Sequence, residues 1–333
     1  MGKFAVMGAG SWGTTFAKVL ADGGNDVVLW ARREDVVEDI NQHHRNGDYL
    51  PGIDLPETLT ATQDPALALD GAEQVYIAVP SSSLRTNLES WGGFIGRDAI
   101  LVSLMKGVEQ GTGLRMSQVV EQVLDWPKSQ LVVVSGPNLS AEIAAMHPTA
   151  SVAACSKAET AATVAKACTN DYFTTFTNRD VIGTEFGGIL KNLIAVAIGI
   201  VNGVGFGQNT KASIMTRGLA EISRFAVAYG AKPNTMMGLA GLGDLIATSE
   251  SPLSRNFKAG EMLGKGFSKR EVLRRLSQTA EGLNSVGPIL ELAAAKGVKM
   301  PIVEQVQLVI EGKMKPAEIA PHLLGEDEEP QGE

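Results

Sequence analysis

The N-terminal half of the chain alternates short apolar runs with longer stretches whose apolar positions recur at helical spacing. Strands are expected at Lys3 to Met7, Val27 to Trp30, Leu59 to Thr62, Gln74 to Val79, Ile100 to Ser103, Leu131 to Ser135, Thr149 to Ala154 and Tyr172 to Thr177. Strands separated by helices in this way form a parallel sheet covered on both faces. Asp64-Pro65 marks one helix start, with Asp as N-cap and Pro at the first helical position, where its missing N–H does no harm. After Asp180 the strand pattern stops. From Gly183 onward the sequence is helical with glycine-rich breaks.

This pattern predicts an α/β fold, a doubly wound and mostly parallel sheet, followed by a second, all-helical domain. The boundary is placed near Val181, giving domains at 1–181 and 182–324 and a disordered acidic tail at 325–333. A length of 333 residues suits two domains, with the ligand cleft expected between them. One run, Ile189 to Phe206, is apolar enough to imitate a membrane span. Lys191, Asn192 and Asn202 interrupt it, and its glycines suggest close packing against other helices, so a buried helix is expected and no membrane span.

Composition narrows the partners. At 44% hydrophobic and 20% charged the chain is an ordinary globular protein. Its net charge of −8 owes much to Glu326, Asp327, Glu328, Glu329 and Glu333. An acidic pI near 5.2 argues against nucleic acid, whereas a small anionic substrate needs only a few local cations. Cys155 and Cys168 form no Cys-x-x-Cys pair and sit near no histidine at ligand spacing, so no metal is expected. Met1 leads directly into the first strand with no signal peptide, which together with the cysteine usage suggests the cytoplasm.

The first chemical motif is Gly8-Ala9-Gly10-Ser11-Trp12-Gly13, a G-x-G-x-x-G between a predicted strand and a predicted helix. Gly8 permits the tight turn, Gly10 lets backbone approach a pyrophosphate, and Gly13 allows close helix packing. The helix start then offers N–H donors to the anion. Together with the alternating strands and helices around it, the motif makes the N-terminal domain Rossmann-type. The second strand ends in Trp30-Ala31-Arg32-Arg33, where NAD-specific chains carry an acid for the ribose hydroxyl. Two arginines can pair with the 2′-phosphate of NADP, so NADP or NAD is expected, with NADPH preferred. Glu34 and Asp35 follow at once, and the alternative is a solvated pair at a helix start.

Lys106 follows the strand Ile100 to Ser103, at the carboxyl edge where open α/β sheets bind ligands; the alternative is a surface lysine. Lys191 lies with Asn192 inside an apolar helix, where an uncompensated ammonium is costly. Gly241-Leu242-Gly243-Asp244-Leu245 and Ser254-Arg255-Asn256 are polar clusters in a helical region. The second has a cation flanked by hydrogen-bonding groups, as a phosphate site requires.

These motifs jointly resemble the bacterial NAD(P)-dependent glycerol-3-phosphate dehydrogenases. Gly-Ala-Gly-Ser-Trp-Gly-Thr at 8 to 14 opens the pattern, and Lys106-Gly107, Ser135-Gly136-Pro137, Gly187-Gly188 and Lys191-Asn192 continue it. Gly203-Val204-Gly205-Phe206-Gly207, Thr216-Arg217-Gly218-Leu219-Ala220-Glu221, Gly241-Leu242-Gly243-Asp244, Ser254-Arg255-Asn256 and Glu281-Gly282 follow in order, to about Leu324.

The resemblance implies reversible reduction of dihydroxyacetone phosphate to sn-glycerol 3-phosphate, with Lys191 as acid/base and Lys106 and Asp244 beside it in the catalytic set. An unperturbed lysine titrates near ~10.4, so oxidation asks burial and the charge of Lys106 to lower it, while Asp244 opposes that shift and orients the ammonium. Substrate positions fall on Lys106, Gly136, Asn138, Lys191, Asp244, Ser254, Arg255 and Asn256. Cofactor positions fall on Gly8, Gly10, Ser11, Trp12, Gly13, Arg32, Arg33, Lys106, Ser140, Arg255, Thr279 and Glu281. The family also implies a homodimer. One departure is Gly136-Pro137-Asn138-Leu139-Ser140-Ala141-Glu142, where the family commonly reads Gly-Pro-Thr-Phe-Ala-x-Glu, so an amide stands at Asn138 where a hydroxyl is expected. Thr279 occupies a position that is often apolar. A β-hydroxyacid or 6-phosphogluconate dehydrogenase lacks the Ser-Arg-Asn cluster, and a silent nucleotide sensor does not need Lys106, Lys191 and Asp244 together.

Overall fold

The computed structural model describes residues 2–276 and 280–319. Thr279 and the expected tail at 325–333 lie outside the described residues. By internal contacts the chain divides into two compact units, Met1–Glu185 and Phe186–Glu333.

The first unit is built on eight strands: β1 (Lys3–Met7), β2 (Asp26–Trp30), β3 (Leu59–Thr62), β4 (Gln74–Ile77), β5 (Ile100–Ser103), β6 (Leu131–Ser135), β7 (Thr149–Ala154) and β8 (Phe173–Asn178). They form one sheet in the order β3-β2-β1-β4-β5-β6-β7-β8. Every pairing is parallel except β6 with β7. All eight stand where the apolar runs place them, and only β2, β4 and β8 have ends shifted, by one or two residues. β4 ends at Ile77, and Ala78 beyond it lies against the glycine loop while its N–H still donates to the Met7 carbonyl at 2.9 Å. The helices of this unit are α1 (Ser11–Asp22), α2 (Glu34–His43), α3 (Pro65–Leu69), α4 (Leu84–Trp91), α5 (Met116–Leu124), α6 (Ser140–Ala144) and α7 (Ala158–Cys168). At α3 the Asp64 carboxylate accepts from Ala66 N–H and Pro65 opens the helix, as the sequence predicts.

Alternation along the central strands feeds two cores. Phe4, Val6, Val27, Leu29, Tyr76 and Val102 pack with Phe16, Leu20 and Phe173 on one face. Ala5, Met7, Trp30, Val75, Ile77 and Leu101 pack with Leu88, Trp91, Val119 and Val120 on the other. Both faces are covered, so these strands read as continuous apolar runs. The order reverses at β1, flanked by β2 and β4, and ligands of open α/β sheets bind at such a switch point.

α8 (Val181–Val204) begins in the first unit and runs on into the second. At its start the Glu185 carboxylate accepts from Arg115 Nη1 at 2.5 Å, Ser117 N–H at 2.8 Å and Ser117 Oγ at 2.7 Å, pinning the helix to the N-terminus of α5. The second unit continues with α9 (Gln208–Ala228), α10 (Pro233–Met236), α11 (Asp244–Glu250), α12 (Arg255–Gly264), α13 (Lys269–Arg275), α14 (Glu281–Ala295) and α15 (Pro301–Ile310). Among the described residues no strand follows β8.

α8 is the helix whose length and composition imitate a membrane span, yet 83% of its most apolar stretch is buried inside the protein. Its glycines explain the burial. A Cβ on Gly199 would stand 2.2 Å from the Phe257 carbonyl oxygen, and one on Gly260 would stand 2.1 Å from that of Val196. α8 and α12 therefore meet backbone to backbone. Elsewhere in the unit the Glu221 carboxylate accepts from Ile302 N–H at 2.9 Å and Val303 N–H at 3.1 Å, closing the start of α15.

Candidate active site

In the first unit the glycine motif lies in the β1–α1 turn. Gly8 takes a φ of +123°, and a Cβ there would stand 2.8 Å from the Ala78 carbonyl oxygen. At Gly13 a Cβ would come within 1.8 Å of the Gly8 carbonyl oxygen, so α1 can close on the turn only without a side chain. Gly10 differs: nothing lies within 4 Å of its Cβ position. It is the N-cap of α1 and supplies no side-chain hydrogen bond. The turn is braced from behind by Asn46 Nδ2, which donates to the Ala9 carbonyl at 3.1 Å and to Thr14 Oγ1 at 2.8 Å. Ser11 Oγ donates to the Tyr49 carbonyl at 2.9 Å, and Trp12 Nε1 donates to the Leu104 carbonyl at 3.1 Å.

Beside this turn, Gly8 N–H donates to the Trp30 carbonyl at 3.1 Å, which brings the end of β2 against the glycine loop. Arg32 is exposed there and forms an ion pair with no described residue. Arg33, the N-cap residue of α2, has a different fate. Its guanidinium donates to both oxygens of Asp35 and to Asp48 Oδ2, the last at 2.6 Å. These hydrogen bonds push its pKa above the ordinary arginine range and hold that of Asp35 below the usual carboxylate range. Of the two arginines expected at the ribose, Arg33 is therefore the one held by two acids.

At the carboxyl edge of β5 and β6, Lys106 Nζ donates to the Gly136 carbonyl at 3.0 Å. Gly136 has a φ of +154°, and a Cβ would stand 3.0 Å from Ser151 Cα. Asn138 Nδ2 donates to Ser151 Oγ at 3.3 Å, and Ser151 Oγ donates to the Ser135 carbonyl at 3.0 Å. The other amide atom, Asn138 Oδ1, is buried with no hydrogen-bond partner among the described residues. Ser140 opens α6, and its carbonyl accepts from Thr15 Oγ1 of α1 at 3.3 Å.

In the second unit Lys191 is 6% exposed and Asp244 1%. Lys191 Nζ donates to Asp244 Oδ1 at 2.8 Å and to Thr248 Oγ1, and Thr248 Oγ1 donates to Asp244 Oδ1 at 3.2 Å. Asp244 is delivered by a π-helical turn, Leu239–Gly243. A Cβ on Gly241 would stand 2.0 Å from the Met236 carbonyl oxygen, so this turn needs a glycine. A buried ion pair that is also hydrogen-bonded is the arrangement in which an interior ammonium is tolerated.

The Ser-Arg-Asn cluster opens α12. Ser254 is its N-cap, accepting from Phe257 N–H at 3.2 Å. Asn256 Nδ2 donates to Asn192 Oδ1 at 2.8 Å, and Asn256 Oδ1 accepts from Gly282 N–H at 2.9 Å. Both side chains, expected on the substrate, thus also serve as braces. Arg255 keeps an exposed surface, yet the atoms crowding its guanidinium remove enough water to lower its pKa, which the Glu281 carboxylate opposes. It stays cationic regardless.

The same two halves are matched by family models. Residues 3–161 match the NAD-dependent glycerol-3-phosphate dehydrogenase N-terminus, and residues 180–321 match the corresponding C-terminus. The chain belongs to the NAD-dependent glycerol-3-phosphate dehydrogenase family. It is 60% identical to the glycerol-3-phosphate dehydrogenase [NAD(P)+] of Leifsonia xyli subsp. xyli, over 98% of this chain and 89% of that protein. It is 53% identical to that of Thermobifida fusca, over 96% and 95%. The crystal structure of glycerol-3-phosphate dehydrogenase from Coxiella burnetii superposes with a TM-score of 0.91 at 34% identity, covering 97% of this chain and 98% of that one.

Members of this dehydrogenase family take a nicotinamide dinucleotide, and the first unit fits one. Gly10 leaves open space at an uncapped helix start, which is the geometry that admits a pyrophosphate. Among the contacting residues, Thr248 is absent from the sequence-derived set; its one signal is its place four residues after Asp244, on the same helix face. Asn46 and Asp48 carry no signal, being loop residues brought to the glycine turn and to Arg33 by the tertiary fold alone.

Proposed function

We propose that this chain is an NAD(P)-dependent sn-glycerol-3-phosphate dehydrogenase that reversibly reduces dihydroxyacetone phosphate to sn-glycerol 3-phosphate, a precursor of phospholipids. The observation that carries the reading is the buried Lys191 ammonium held by Asp244 and Thr248, in a chain that both halves assign to the family. In the reductive direction the ketone carbon accepts a hydride and its oxygen gains negative charge. The bound nicotinamide supplies that hydride. Lys191 stabilises the developing alkoxide and donates the proton that completes the alcohol. In oxidation the neutral amine takes the hydroxyl proton back. Asp244 and Thr248 fix the direction of Nζ so that little reorganisation is needed.

Arg255 holds the substrate phosphate by charge-assisted hydrogen bonds, with the start of α12 adding N–H groups; Glu281, whose charge acts on the guanidinium, belongs with Arg255 to the cofactor set. Asn256, braced by Asn192 and Gly282, keeps this helix start in register. Lys106, Gly136 and Asn138 line the substrate from the sheet edge, Asn138 offering its buried Oδ1 as an acceptor in place of the family's hydroxyl. Gly8, Gly10, Ser11, Trp12, Gly13, Arg32, Arg33, Ser140 and Thr279 complete the cofactor set. Residues 1–181 form the dinucleotide domain and 182–324 the substrate domain of a cytoplasmic homodimer.

The test is to mix purified protein with dihydroxyacetone phosphate and NADH or NADPH and to follow loss of the reduced cofactor. Turnover yielding sn-glycerol 3-phosphate is expected. No turnover with either cofactor contradicts the reading and favours a nucleotide sensor.

A further inference from the structure

The ion pairing at the end of β2 bears on which dinucleotide the site takes. In a sheet of this topology the adenosine ribose lies at the carboxyl end of the second strand. Here that end carries Arg32 and Arg33, and Gly8 N–H bonds to Trp30 to bring it against the glycine turn. The segment Asn46 to Tyr49 lies along the other side of the same turn, tied by Asn46 to Ala9 and Thr14 and by the Tyr49 carbonyl to Ser11. Asp48 is therefore presented to Arg33 from a loop that is itself fastened to the phosphate-binding turn, and Asp35 approaches from α2.

Three charged side chains share this edge: one guanidinium between two carboxylates. A 2′-phosphate brings close to two negative charges and needs bidentate donors. Asp35 takes the Nε and Nη2 edge of the Arg33 guanidinium and Asp48 sits on Nη2, so a phosphate that binds the remaining Nη1 and Nη2 edge bidentately has to displace Asp48, whereas the 2′-hydroxyl of NAD carries no charge. Arg33 is half exposed and its partners more so, at 49%, 65% and 60% of the side chain, so the competition takes place in screened surroundings and its scale is moderate.

We infer that Asp48 is a specificity-determining residue: by holding Arg33 it withholds one of the two arginines from the 2′-phosphate and keeps NADH competitive with NADPH. Asp48 acts through Arg33 and is a positioning residue. The inference rests on dinucleotide binding at the glycine turn.

The experiment measures dissociation constants of adenosine 2′,5′-bisphosphate, NADPH and NADH for wild type, Asp48→Asn, Arg33→Ala and the double variant, without substrate. Asp48→Asn is isosteric at an exposed position. It should bind adenosine 2′,5′-bisphosphate and NADPH about 3- to 5-fold more tightly at low salt, the upper part of the range for an exposed charge pair, with NADH within about 2-fold. The gain should shrink as salt rises and disappear in the Arg33→Ala background. Equal changes for NADPH and NADH, or no change, overturn the inference. A gain that persists without Arg33 also overturns it, because Asp48 would then act by direct repulsion. Wild type that binds none of the three ligands contradicts dinucleotide binding itself.

Discussion

The two units build their candidate ligand sites from different materials. In the first, the candidate groups are backbone and loop: an uncapped helix start at Gly10, a strand end, and lysine and asparagine side chains at a sheet edge. In the second they are interior side chains bonded to one another, Lys191 with Asp244 and Thr248, and Asn256 with Asn192 and Gly282. Where backbone binds the ligand, added bulk does harm and stability is largely spared. Where buried polar side chains bind one another, truncation strands a partner away from water, so stability and chemistry fail together.

Four substitutions sharpen this contrast. The largest effect belongs to Asp244→Ala. It leaves the Lys191 ammonium buried without that carboxylate and should cost about 3–5 kcal/mol of stability, along with most turnover, read by denaturant melts and kcat. Asn256→Ala comes next. It leaves Gly282 N–H without its acceptor and Asn192 Oδ1 without its donor, at about 1–3 kcal/mol per stranded group, and the KM for dihydroxyacetone phosphate should rise because the start of α12 loosens. Gly10→Ala should do the reverse. With nothing within 4 Å of its Cβ position, the free protein should lose no more than about 1 kcal/mol, while NADH and NADPH each bind at least about 10-fold more weakly, a difference of ~1.4 kcal/mol. A melting loss larger than the affinity loss would break the contrast.

The smallest effect compares two buried carboxylates. Glu185 of the first unit bonds to Arg115, whereas Glu221 of the second is satisfied by two backbone N–H groups. Burial pushes the pKa of Glu221 up to about 7 against the N–H groups of Ile302 and Val303, with Arg224 also opposing and Glu304 assisting. A carboxyl whose folded pKa exceeds its unfolded value, about 4.3, favours the fold while protonated. That contribution is complete below the unfolded value and is lost as pH rises through about 7. Wild type should therefore lose melting temperature between about pH 5 and pH 8 relative to Glu221→Gln. Parallel melting curves across that range would show that Glu221 does not titrate there.

The same difference in materials decided how much was legible in the sequence. Eight strands could be placed because strands covered on both faces are apolar runs bounded by breaks. The glycine turn was legible because close approach of backbone at Gly8 and Gly13 admits no other residue, and Lys191 because a charge inside an apolar helix stands out. The mutual partners were not. Thr248 is one threonine among many, and its relation to Lys191 spans 57 positions of chain. Asp48 lies in a polar loop, where an acidic residue is unremarkable until folding sets it on Arg33. Periodicity registers which face of an element is buried; it carries nothing about which polar side chain meets which across loops and helices.

The proposed mechanism turns on proton transfer by Lys191. It is tested most directly by single-turnover hydride transfer in Lys191→Ala, with saturating NADPH and dihydroxyacetone phosphate and the rate counted per folded, cofactor-bound molecule. That normalisation removes any stability lost when Asp244 gives up its buried partner. Cofactor binding should stay close to wild type while hydride transfer slows by about 10² to 10⁴, the range for a positioned acid/base. Hydride transfer at a near wild-type rate would contradict it and move attention to Lys106.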